Sequence, residues 1–194
     1  MGLGVLVLGL AIVLGTHVFV TMRGARAIVM ARLGKLYRPS FAIVSAAGLV
    51  LIVWGFALYR HTGIVAVWSP PPLMRHVTIG LMWFAVVLVL AAYLPGHIKA
   101  WIGHPMLAAV MVWAFAHLLS NGDLGSILLF GSFLAWAVYA RSAVKRRDAA
   151  GGARTMGEPG WTNDAIAVAL GTVLYLALGY VFHPVMIGVP VFGV

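Results

Sequence analysis

Six long apolar segments decide what this chain can fold into. Each holds about 17 to 22 residues, enough for a helix rising 1.5 Å per residue to cross a hydrocarbon core of roughly 30 Å. The pattern predicts an all-α, polytopic membrane helical bundle, a single transmembrane domain over residues 1–194. Its six transmembrane helices are expected at about 2–22, 40–59, 77–94, 104–120, 124–140 and 164–182.

The composition is typical of a chain embedded in a membrane. Hydrophobic residues make up 63% of it and charged residues only 9%, outside the range of soluble domains. The first apolar run has no basic region before it and no small-residue cleavage site, so we expect a retained span rather than a signal peptide. The longest connection, 141–163, is too short for a folded soluble domain. The function must therefore lie in or beside the membrane.

The basic residues alternate between connections, and this alternation predicts an orientation. Short basic loops stay in the cytoplasm, so both termini are expected on the non-cytoplasmic side. We assign the net charge of +9 to contact with anionic membrane lipids and not to nucleic acid. The residues behind this pattern are Arg23, Arg26, Arg32, Lys35, Arg38, Lys99, Arg141, Lys145, Arg146, Arg147 and Arg154.

Several connections carry helix start and stop signals. The stretch "RGARAIVMARLGKLYRPS" interleaves basic and apolar residues, as expected of a short interfacial helix that ends at Gly34. In "IGHPML", His104 is expected as the N-cap residue and Pro105 as the first helical residue. In "LSNGDLGS", Asn121 and Gly122 should end one helix and Asp123 should cap the next.

The chain has no cysteine. That excludes disulfides, iron–sulfur clusters, cysteine-bound zinc and covalently attached c-type haem. Any metal or haem must be held by nitrogen, oxygen or methionine sulfur.

The seven histidines fall into two groups. Two of them, His17 and His117, lie within predicted spans, where an imidazole without a partner would cost several kcal/mol. Each must find a hydrogen bond or a metal, and together with His104 they suggest b-type haem, whose usual axial ligand is imidazole. The others are expected in loops or at the interface: His61, His76, His97 and His183.

Membrane depth separates the three candidate ligands. His17 lies about five residues past the centre of its span toward the cytoplasm, and His117 about five past the centre of an oppositely directed span. At 1.5 Å per residue their depths differ by roughly 15 Å, more than two ligands of one iron allow. By depth alone, His104 is the better partner for His17.

Several motifs resemble one family of bacterial membrane proteins. These are "GTHVFVTMRG", "GKLYRPSF", "VWSPPPLMRH" and the long run from "AAYLPGHIKAWIGHPM" to "LLSNGDLGSILLFGSFLAWAV". Together they closely resemble the NnrU family, which is associated with denitrification and nitric-oxide metabolism. The family shares a domain with zeta-carotene isomerase, a haem b protein.

The resemblance implies a location and a ligand set. It implies a multi-pass protein of the bacterial inner membrane, with haem b as cofactor and a small apolar or gaseous ligand. The motif matches carry the two iron-binding histidines of the isomerase onto His17 and His117. Two departures stand out: Gly103 replaces an Arg before the His-Pro, and Ala114 replaces a Cys of the plant enzymes.

Other functions remain open from the sequence. The chain could be a noncatalytic membrane factor that supports nitrogen-oxide metabolism, with its histidines hydrogen-bonded inside the bundle. A carotenoid-type cis/trans isomerase is a further alternative. A membrane methyltransferase using S-adenosylmethionine also opens a helix with His-Pro, but it usually has a downstream Glu pair, and the region after residue 140 has only Glu158.

Overall fold

The structure, a computed structural model, describes residues 1–152 and 157–192. It is all-helical, with 82% of the described residues in helices. Within the described residues there are eight α-helices, joined by a 3₁₀ turn at Gly34–Leu36, a π-helical turn at Asp148–Gly152 and a π-helical segment at Leu178–Ile187 that continues the last helix. The helices are α1 (Gly2–Phe19), α2 (Arg23–Leu33), α3 (Tyr37–Thr62), α4 (Leu73–Ala91), α5 (His97–Ile102), α6 (Pro105–Ser120), α7 (Leu124–Arg147) and α8 (Trp161–Ala177).

Five of the helices are long and apolar enough to cross a membrane: α1, α3, α4, α7 and α8 with their continuations. The remaining predicted span is α6, which is apolar but only 16 residues long. The multi-pass helical class is thus confirmed. Helix α7 runs past its predicted end at residue 140, because the Ala, Arg and Lys residues that follow are good helix formers.

Local signals set the helix ends as expected. Helix α2 ends at Gly34, whose φ of 51° suits a residue without a Cβ. Helix α6 begins at Pro105 and ends before Asn121. The carboxylate of Asp123 accepts a hydrogen bond from the backbone N–H of Ser126 at 2.9 Å, so the predicted cap of α7 is confirmed.

The chain divides into two compact units. The first comprises residues 1–69 and 121–143, and in it α1 packs along α3. Its buried core consists of aliphatic side chains, and glycines bring the two helix backbones together. A Cβ on Gly9 would lie 2.6 Å from the backbone nitrogen of Ile52 and 2.8 Å from the carbonyl oxygen of Gly48. The core residues are Leu6, Leu10, Val13 and Ile52.

In the same unit, the segment after α3 pairs with the turn before α7. The N–H groups of Val67 and Trp68 both donate to the carbonyl oxygen of Gly122, at 2.9 and 3.0 Å. The N–H of Leu124 donates to the carbonyl oxygen of Val65 at 2.9 Å. These bonds satisfy backbone groups of an irregular segment.

The second unit comprises residues 70–120 and 144–194. Here α4 packs against both α6 and α8, and the contacts include interhelical hydrogen bonds. The hydroxyl of Thr78 donates to the carbonyl oxygen of Ala116 at 2.7 Å, and the indole N–H of Trp83 donates to the hydroxyl of Thr172 at 2.9 Å. Polar bonds between apolar helices fix their register in lipid.

Candidate binding cavity

A cavity of about 310 Å³ lies within the second unit, among α4, α6, α8 and the π-helical segment. That volume is at the lower end of the range for small-molecule pockets, about 300–1,000 Å³. Its walls are mainly apolar and aromatic. The polar or titratable side chains that line it are Thr78, Trp113, His117, Tyr175 and His183.

His117 lies one turn from the end of α6. Its Nδ1 is 2.8 Å from the carbonyl oxygen of Trp113, one helical turn back. A carbonyl only accepts, so Nδ1 must carry the proton, and in the neutral ring Nε2 holds the lone pair. A backbone carbonyl that fixes the tautomer in this way is a common support for a metal-binding histidine.

His183 is the second histidine of the cavity. It belongs to the π-helical segment, where Pro184 follows it. Its ring centroid lies 6.4 Å from that of His117, with 23° between the ring planes. Its Nδ1 is buried and has no hydrogen-bond partner within the described residues.

The sequence predicted an interfacial position for His183 and did not predict that it would lie beside His117. The sequence shows a histidine at the end of an apolar run, and its only local signal is the His-Pro step. The helix continues to Ile187, beyond the predicted end at residue 182, and this continuation places His183 beside the cavity.

The segment after the last helix covers part of the cavity. The guanidinium of Arg75 donates from Nη2 to the carbonyl oxygens of Pro190 and Val191, at 3.3 and 2.9 Å. Val191 lines the cavity, and the ring of Phe192 lies 4.6 Å from that of Tyr180. These contacts tie the segment to the start of α4.

His17 lies in the first unit, near the end of α1. Its Nδ1 is 2.7 Å from the carbonyl oxygen of Val13, so it has the same tautomer as His117. Its ring packs against Phe41 and Trp136, with centroids 5.4 and 5.5 Å away. His17 and His117, the two iron ligands that the resemblance implies, therefore share one feature: Nδ1 of each is bonded to the carbonyl oxygen four residues earlier in its own helix. His17 belongs to the first unit and His117 to the second.

His104 precedes α6 and does not line the cavity. Its Nε2 is 2.7 Å from Oδ2 of Asp148, and Arg147 donates two hydrogen bonds to Oδ1 of the same carboxylate. Asp148 follows the basic end of α7. Since 13 residues of helix separate His104 from His117, the two lie roughly 20 Å apart along α6.

His97 was expected at the surface in a turn, but it starts helix α5 and is partly buried. Asp164 accepts hydrogen bonds from the backbone N–H groups of His97 and Ile98, at 2.8 and 3.0 Å. It also lies 3.0 Å from Nδ1 of His97, whose ring stacks on Trp161. This cluster joins α5 to the start of α8. Sequence reasoning missed it because the two partners are 67 residues apart.

In the described ranges, no group of three or more His, Asp or Glu side chains is arranged to hold a metal ion. The arrangement that the second unit does provide is a pair of imidazoles beside an apolar cavity. Two imidazoles and apolar walls suit a cofactor that brings its other metal ligands with it.

The five long apolar helices define a multi-pass membrane protein. The model of the NnrU family, described as "NnrU protein", matches residues 5–191, nearly the whole chain. The chain belongs to the NnrU family. Comparison with curated proteins gives no match, and comparison with solved structures gives none either.

Proposed function

We propose that this NnrU-family protein binds haem b in the cavity of its second unit, with His117 as an axial ligand. The observation that carries the proposal is the position of His117: it lines an apolar cavity, and the bond from its Nδ1 to the carbonyl of Trp113 puts the lone pair of the neutral ring on Nε2. A noncovalent haem is the form of haem open to a chain without cysteine.

The residues present fit such a group in chemistry. Apolar and aromatic walls suit the faces of a porphyrin, and the lining includes Met82, Trp113 and Phe182. The cavity volume of about 310 Å³ is small, so a haem there would leave an edge against lipid or neighbouring helices. The buried Nδ1 of His183 offers a further nitrogen in the same place.

A haem bound here would supply an iron that acts as a Lewis acid and that takes a gaseous ligand such as nitric oxide when a side-chain ligand gives up its place. The carbonyl of Trp113 orients the imidazole of His117. This activity agrees with the association of the family with denitrification and nitric-oxide metabolism. Under the proposal the protein senses, carries or converts a small ligand in the bacterial inner membrane.

The visible absorption spectrum of protein purified in detergent, after growth with a haem precursor, tests the proposal. The parent should show the bands of b-type haem, and His117→Ala should lose most of the haem or shift its bands strongly. His61→Ala is the matched control, because His61 is exposed at the end of α3. A parent protein without a haem band would refute the proposal.

The pairing of His17 with His117 stays a prediction of the resemblance. It implies that His17→Ala changes the spectrum as strongly as His117→Ala does. The same absorption measurement gives the answer, with His104→Ala as a third variant for the alternative based on depth. His104 has Asp148 as its partner, so we expect its removal to leave the spectrum unchanged.

A noncatalytic membrane factor is the second candidate function. It is favoured by the hydrogen bonds that join the Nδ1 atoms of His17 and His117 to carbonyls of their own helices. Such bonds satisfy a buried imidazole without any cofactor. Under this reading the parent has no haem band. Isomerase activity has less support, since a fully buried Ala114 stands where the plant isomerases have Cys. Methyltransferase activity has less support, since the region after residue 140 has only Glu158 and no Glu pair.

We also propose that the connections 23–38 and 141–163 face the cytoplasm, with both termini on the other side. Ten of the thirteen Lys and Arg residues lie in these two connections. Single cysteines at Lys35 and Ser69 of this cysteine-free chain should react oppositely with a membrane-impermeant reagent. Labelling at position 35 from outside intact cells would refute this orientation.

A further inference from the structure

We infer that His183 is the second axial ligand of the iron, opposite His117, so that one unit of the chain provides both imidazoles. The inference rests on the proposed haem function and names a residue that the family resemblance does not assign. Four features of the second unit carry it: ring spacing, an unsatisfied nitrogen, the helix type and the cavity lining.

The spacing of the two rings matches a pair that shares one metal atom. Metal–imidazole bonds are about 2.0–2.1 Å long, so the two ligating nitrogens lie about 4 Å apart and the ring centroids roughly 6 Å apart. The centroids of His117 and His183 are 6.4 Å apart. Aromatic rings in direct contact also have centroids about 4.5–7 Å apart, so the spacing leaves room for a shared metal atom and the other features of the site must select it.

The unsatisfied nitrogen points to the same site. Nδ1 of His183 is buried and has no hydrogen-bond partner within the part of the chain that the structure describes. A buried polar atom without a partner is costly, and native structures keep few of them. A bond from this ring to a metal would supply the partner and offset that cost.

The helix that carries His183 is unusual in a way that often accompanies function. Residues Leu178–Ile187 form a π-helical segment, a rare helix type that is frequent at functional sites. Pro184 has no N–H, so it cannot continue a regular α-helical ladder through this point. The wider turns set the register of His183, which lines the same cavity as His117.

His17 has a different setting. Its ring is packed against two aromatic side chains of the first unit, Phe41 and Trp136. It does not line the cavity that His117 and His183 share.

Electron paramagnetic resonance of the oxidised, haem-loaded protein tests the inference. The parent should give the low-spin signal of iron with two imidazoles. His183→Ala should lose that signal and become high-spin, and added imidazole should restore the low-spin signal by filling the emptied position. His76→Ala is the control in the same unit, because His76 is exposed on α4 and does not line the cavity.

A second variant tests the inference if His183→Ala accumulates too poorly to be measured. His183→Met keeps an axial ligand but exchanges imidazole for a thioether, so the iron should stay low-spin while its reduction potential rises. A His183→Met spectrum and potential equal to those of the parent would overturn the inference.

The outcomes separate the inference from the proposed function. A haem-loaded parent together with an unchanged low-spin signal in His183→Ala overturns the inference alone, and loss of the signal in His17→Ala would then assign the ligand to His17. A parent without haem overturns both.

Discussion

The two units of the chain pack their helices in different ways. In the first unit, glycines let α1 and α3 approach until their backbones touch, and aliphatic side chains fill the remaining space. In the second unit, side-chain hydrogen bonds such as that from Thr78 to Ala116 join α4 to its neighbours, and a cavity remains among the helices.

The difference shows how helices in lipid can pack either for contact or for a binding site. Close packing gains van der Waals contact along the whole interface and requires residues without side chains at the crossing. Packing across larger side chains needs hydrogen bonds to fix register, and it leaves space that a ligand can occupy. The histidines follow this division, since His17 packs between aromatic rings and His117 borders a cavity.

The largest loss of stability is expected at Gly9, where α1 and α3 of the first unit are in close contact. Gly9→Val should cost about 3 kcal/mol of stability, because its side chain would meet the backbone of Ile52 and Gly48 and force the helices apart. Gly4→Val is the control on the same helix, since a Cβ at Gly4 meets nothing within 4 Å. Thermal unfolding in detergent measures both. Equal midpoints would show that the first unit is not held by close contact.

A smaller effect is expected in the second unit. Thr78→Val removes the hydrogen bond to Ala116 at similar volume, and interhelical hydrogen bonds in membranes average about 0.6 kcal/mol. Thr62→Val is the control, because the Thr62 hydroxyl is exposed and donates to the carbonyl oxygen of Leu58 in its own helix. The same unfolding measurement applies. A loss for Thr78→Val as large as that for Gly9→Val would contradict the proposed difference between the units.

The smallest effect is expected for Asp123→Asn, a conservative change at the cap of α7 in the first unit. Asp123→Ala should cost about 1 kcal/mol by losing the bond to the Ser126 N–H, whereas Asp123→Asn should change stability very little, because Asn caps about as well as Asp. Unfolding midpoints and the amount of protein in the membrane measure this. A large loss for Asp123→Asn would show that the charge itself is needed.

Local features of the chain were predictable from residues close in sequence. The stop at Gly34, the start at Pro105 and the cap at Asp123 all depend on side chains within a few residues of the helix end. The end of α7 was less predictable, because helix propensity carried it past the apolar stretch, and the π-helical continuation of α8 around Pro184 has no local sequence signal beyond the His-Pro step. Hydropathy marks where lipid ends and does not mark where a helix ends.

The candidate site was predictable only in part. His117 is recognisable from sequence as an imidazole within an apolar helix. His183 is not, because its position beside His117 depends on a π-helical segment and on the packing of α8 against α4. The pairing of His97 with Asp164, and of His104 with Asp148, likewise joins residues far apart in the chain.

The sequence by itself determined the membrane class, the helical content and the exclusion of cysteine chemistry, because each follows from which residues are present and how long the apolar runs are. The tertiary structure decided which helices touch closely and which enclose a cavity. It also decided that His117 meets His183 at 6.4 Å. Helix packing depends on the fit of small residues and hydrogen bonds across segments distant in the chain, and hydropathy carries no record of that fit.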